Sequence, residues 1–147
     1  MTITPSTPLV SYRDAQALAW QYRARRALTE SRRQPRRLGE LLDEAARCRV
    51  IAVCIALSAL GVHSVYPVIS CSRGRGFEVG GWIAWTTVSG EPRPFAPFTF
   101  IVPPDGAISV WRDVDELTAV IPGTGPGCPV HETARRIHAY AEAHLTR

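Results

Sequence analysis

The chain has 147 residues, 46% apolar and 20% charged, with a formal net charge of +4. These totals describe an ordinary globular chain able to bury roughly 70% of its unfolded surface, and they exclude wholesale disorder. All 17 basic residues are arginine, and eight of them lie in the first 37 residues against two acids, a local charge of +6, while residues 38–147 come to −2.

Residues 1–10 hold Pro5 and Pro8 among Thr and Ser and read as a flexible lead-in to a single α+β domain over 11–147. They carry neither the basic stretch nor the apolar core of a signal peptide, so a cytoplasmic chain is expected. Ser11 and Asp14 form a short-acid version of a capping box, which starts a helix near Tyr12. On that helix Ala17, Trp20, Ala24, Ala27 and Leu28 make one apolar stripe flanked by Arg23, Arg25 and Arg26. Pro35 closes it.

A second helix is expected from Leu38 to Leu60, with Gly61 as its left-handed cap. Its later half, Val50–Leu57, is apolar on all sides; its β-branched content also admits a strand. At eight residues this is the longest apolar run, far below the ~20 needed to cross a bilayer, so no membrane association is expected.

Strand texture follows. Val65–Cys71 is β-rich, and Ser72-Arg73-Gly74-Arg75-Gly76 is a turn whose two arginines make a cationic hairpin tip. Phe77–Val88 reads as one strand covered on both faces, with a bulge at Gly80-Gly81. A proline-rich loop spans 89–97. Phe98–Val102 and Ala107–Trp111 are two strands joined by Pro103-Pro104-Asp105-Gly106, and Asp113–Val120 is either a short helix or another strand. The Gly- and Pro-rich loop 122–129 leads into a last helix, Val130–His144. The expected architecture is two N-terminal helices, an antiparallel meander of about four strands, and a C-terminal helix packed on the sheet.

Three constellations can carry chemistry. Arg23, Arg25, Arg26, Arg32, Arg33, Arg36 and Arg37, joined by Arg73 and Arg75, can lay guanidinium groups along phosphates or carboxylates in bidentate geometry. The alternative is a solvated face whose arginines pair with Glu30, Glu40, Asp43 and Glu44. The second constellation is Gly123, Gly125, Gly127 and Cys128 at a helix N-terminus, with Arg135 two turns in, which suits an anion; no Lys-[Ser/Thr] pair follows, so it is not a P-loop. Glu116–Val120, this loop and the helix after it resemble the acyl-CoA pyrophosphate loop of the GNAT acetyltransferases. The resemblance covers only residues 116–144 and lacks that family's arginine-glycine signature; it implies acyl-CoA as the anion, and a nucleotide is the other anionic cofactor open to the loop. The third is Cys128 with His131, a conceivable nucleophile and base with no third partner evident in sequence.

Metal chemistry has less support. Cys48, Cys54, Cys71 and Cys128 contain no C-x-x-C, and His131-Glu132 is followed by Arg135 where a zincin needs His. Asp113, Asp115 and Glu116 lack a nearby acid, base or ion and read as helix-start charges. The leading expectation is a non-enzymatic accessory or regulatory protein, without cofactor, that engages a polyanion, with nucleic acid first and an acidic protein second. A protein–protein adaptor, inhibitor or assembly subunit is one alternative, and a homo-oligomer is open under any reading. An enzyme or binder holding an anionic cofactor at 123–128 is the other.

Overall fold

The computed structural model describes residues 12–64, 70–72, 76–81, 83–86, 92–93, 98–112 and 116–144. The chain begins with a helical hairpin: α1 (Tyr12–Arg33), a 3₁₀ turn (Pro35–Arg37) and α2 (Leu38–Ala59). Ala17, Ala24, Ala27 and Leu28 are buried on one side of α1, and their small size lets α2 approach closely. Gln34, forced out of helical geometry ahead of Pro35, sits at φ −124° and ψ 75°. Pro35 therefore ends α1 where the sequence places its stop.

α2 confirms the all-round apolar reading of its later half, with Val50, Ala52, Val53, Ala56 and Leu57 all buried. It is helical throughout, which removes the strand alternative for Val50–Leu57. Gly61 follows it at φ 78° and donates its N–H to Ser58 O at 3.1 Å, a left-handed cap that a side chain would strain.

Two antiparallel sheets follow in an α+β fold. The larger has the order β2 (Ser70–Ser72), β3 (Gly76–Gly81), β6 (Phe98–Val102), β7 (Ser109–Arg112) and β8 (Glu116–Val120). The smaller joins β1 (Val62–Ser64), β4 (Ile83–Thr86) and β5 (Pro92–Arg93). Phe77–Val88 is thus not one strand. Its first part pairs with β6 as far as Gly81 opposite Phe98, and its second part pairs with β1, Ile83 opposite Ser64. The glycine pair stands where the chain leaves one sheet for the other, since a backbone without Cβ can bend there at little steric cost. Glu116–Val120 is a strand rather than a helix, paired with β7 across an irregularity at Val110/Trp111. Part of the loop expected at 89–97 forms β5.

α3 (Val130–His144) closes the core. Val130, Ala134, Ile137 and Ala141 recur at helical spacing and share one cluster with Val50, Val53 and Leu57 of α2 and with Phe100, Val102 and Val110 of the sheet. Phe100 is the largest side chain fully enclosed there. Phe100→Ala is expected to lower the unfolding free energy by about 3–5 kcal/mol, read as a shift in the urea midpoint at unchanged slope.

Candidate functional site

Four of the N-terminal arginines gather at the corner between α1 and α2. Arg32 and Arg33 occupy the last turn of α1, where the negative end of the helix dipole favours cations, and Arg36 and Arg37 follow Pro35 in the 3₁₀ turn. All four are exposed. Arg37 donates to both carboxylate oxygens of Glu40, at 3.3 and 3.0 Å, and this contact raises the guanidinium's pKa and lowers that of Glu40. Arg33 reaches Glu30 at 3.8 Å. Among the described residues, Arg32 and Arg36 have no ion pair; four guanidinium groups face Glu30 and Glu40, and Glu44 adds its charge beside Arg37.

The remaining members of the arm go elsewhere. The Arg23 guanidinium lies 4.4 Å from the ring centre of Trp20, a cation–π contact. It borders a cleft of about 490 Å³ shared with Glu40, Asp43, Glu44 and Arg47, where charges of both signs meet. Arg26 lines a neighbouring cleft of about 250 Å³ with Glu30, Arg37 and Glu44. The pairing suggested by the sequence is met at Arg33–Glu30 and Arg37–Glu40, while Arg23 and Arg26 border clefts that Glu30, Glu40, Asp43 and Glu44 line.

Arg25 has a different task. Its Nε and Nη2 donate to the carbonyls of Pro126 and Gly127, each at 3.2 Å, so α1 and the Gly-rich loop, a hundred residues apart, are in contact. Two further arginines bind the same loop. Arg136 donates to Gly123 O at 2.9 Å and to Pro122 O at 3.4 Å. Arg49, only 6% exposed in the middle of α2, donates to Pro103 O at 2.7 Å, Gly106 O at 2.8 Å and Thr124 O. Burial lowers its pKa to about 10, with the charge of Asp105 opposing the shift. Thr124 is itself enclosed; its hydroxyl donates to Ile121 O at 2.7 Å and accepts the Ile108 N–H at 2.8 Å.

The loop therefore turns carbonyl oxygens toward guanidinium groups. At its end the Gln21 side chain accepts the first N–H of α3, from Val130, at 3.1 Å and donates to Cys128 O at 2.8 Å. Gly123 takes φ 71°, and a Cβ there would lie 1.5 Å from Arg136 Nη1. Space is open around Gly125 and Gly127, and Arg135 pairs with Glu132 at 3.5 Å rather than turning to the loop. The partly exposed Cys128 directs its thiol at Pro129 O, 3.5 Å away. His131 Nδ1 lies 3.5 Å from Asp14 on α1, a neighbour that sequence spacing does not reveal.

Arg73 and Arg75 fall outside the described residues. Among those described, no three His, Cys, Asp or Glu side chains converge as a metal site, and no helix is long and apolar enough to cross a membrane. Cys48, Cys54 and Cys128 are free thiols, and burial pushes Cys48 up and Cys54 to about 11, which keeps both protonated. Compared with protein-family models, curated proteins and solved structures, the chain matches none.

Two things escape sequence reading. Arg49 immediately precedes the apolar run Val50–Leu57, and with the exposed Arg47 two residues before it the sequence does not say which of the two is the buried cation. Gln21 carries no signal. Replacing Arg49 by Met strips three carbonyls of their charged donor inside the protein and is expected to cost about 2–4 kcal/mol by chemical denaturation. Arg49→Lys should recover only part of this, because an ammonium cannot reproduce the planar fork.

Proposed function

We propose that the protein is a non-enzymatic accessory or regulatory factor that engages a polyanion, nucleic acid first, through the α1–α2 corner. The observation carrying this reading is the excess of guanidinium over carboxylate at an exposed turn: Arg32, Arg33, Arg36 and Arg37 against Glu30, Glu40 and Glu44. Arg23 and Arg25, also in the expected binding set, contribute less, since they are engaged with Trp20 and the loop carbonyls, whereas Arg26 is exposed beside the α1–α2 cleft. Phosphates offer each guanidinium two acceptors in its own plane and add no steric demand at a convex corner.

A protein-adaptor role is the second reading, favoured by Leu117 and Val120, each about half exposed on β8 at the end of the larger sheet. An apolar edge strand without Lys or Pro is a template for another chain.

Counterion release makes the first reading quantitative. Four phosphate contacts to a single strand give a log–log salt slope near −3, so affinity for an oligonucleotide should fall about fiftyfold between 50 and 200 mM salt. Arg32→Gln with Arg36→Gln should flatten that slope by about 1.4 and leave thermal stability unchanged. Affinity independent of salt, or an unaltered slope in the double variant, would overturn the proposal; fluorescence anisotropy reads both. An adaptor would instead hold one defined protein through a high-salt wash.

A further inference from the structure

The exposed side of α1 carries more than charge. Helical geometry, 100° per residue, sets Tyr22 opposite the stripe of Ala17, Ala24, Ala27 and Ser31 that packs on α2. Tyr22 is 67% exposed, and its ridge neighbours are Leu18, 41% exposed, Arg26 one turn on and Arg33 three turns on. The nearest acid on the helix after Tyr22, Glu30, is rotated about 80° from this line. Trp20 is the larger ring, but it is partly buried against the core and the Arg23 guanidinium covers it. Tyr12 is 78% exposed but stands at the start of α1, nearly three turns before Tyr22 and rotated about 80° from this line, so the exposed ring on the ridge that leads to the corner is that of Tyr22.

We infer that this ridge binds single-stranded rather than duplex nucleic acid, with Tyr22 stacking on an unpaired base while Arg26, Arg33 and the α1–α2 corner hold the phosphates. The inference rests on the polyanion reading above and narrows it. From Tyr22 to Arg33 the helix rises about 16 Å, room for a few successive phosphates of one strand. A ring on a convex helix ridge finds no base face in a duplex, where stacking hides them all. An extended single strand offers one to any side chain beside its backbone. An acidic peptide would satisfy the arginines equally well and leave the ring idle.

The test uses the full chain, a labelled thirty-nucleotide oligo(dT), the matched dA·dT duplex and poly-glutamate, measured by anisotropy at fixed low salt. Tyr22→Ala should weaken oligo(dT) binding by roughly five- to a hundredfold without changing its salt slope, whereas Tyr22→Phe should stay within about twofold. Duplex binding should be weaker and indifferent to Tyr22. Because Tyr22 is exposed, both variants should keep the wild-type circular dichroism. Unchanged oligo(dT) affinity in Tyr22→Ala, or tighter binding of the duplex, overturns the single-strand inference; the polyanion reading survives either result if affinity still falls with salt. Binding of poly-glutamate alone, or of no probe at all, overturns the nucleic-acid assignment together with the inference.

Discussion

A buried cation organises this molecule. Arg49 stands in the apolar half of α2, where desolvating a charge costs several kcal/mol unless its donors are met. Three backbone carbonyls meet them, from the Pro103–Gly106 turn and from Thr124, and the charge of Asp105 favours the ionised form. The two loops are thereby tied to the same helix, and through it to the core that α3 completes. An aliphatic residue at this position would leave those carbonyls facing apolar side chains with nothing to bind.

The same chemistry recurs at the surface of loop 122–128. Arg25 and Arg136 take its outer carbonyls and Gln21 takes both the last carbonyl and the first amide of α3. A loop rich in Gly would otherwise sample many backbone states, and each fixed residue costs about 1–2 kcal/mol of entropy. Guanidinium groups suit this work because one planar fork can serve two carbonyls at once. Arginine is thus used here as a scaffold as well as a charge, and its count in the sequence overstates the cationic surface. What remains for a partner is set by subtraction: Arg25, Arg49 and Arg136 are engaged with the backbone, Arg23 with a ring.

Helix spans were legible because their signals are local. Pro35 stops α1, Gly61 caps α2, and Val130–His144 declares itself by an apolar period of three and four. The Gly80-Gly81 pair marked a disturbance, but whether a strand bulges or changes sheet depends on distant partners, here Phe98 and Ser64. The division of the arginines was illegible for the same reason. Nothing near Arg25 in sequence foretells Pro126 and Gly127, and nothing near Asp14 foretells His131. Contacts closed over a hundred residues follow from packing, not from spacing.

Carboxylates at the α1–α2 corner do not silence it. Exposed ion pairs such as Arg33–Glu30 and Arg37–Glu40 hold their partners weakly, and salt screens them further. A phosphate-bearing chain brings several acceptors tethered together, so after one is bound the next arrives at high effective concentration. Exchange of Glu30 or Glu40 for such a chain loses little, and the released counterions favour it. On the proposed reading Glu30 and Glu40 give way to phosphate, and Arg32 and Arg36, without an ion pair among the described residues, supply the unbalanced charge.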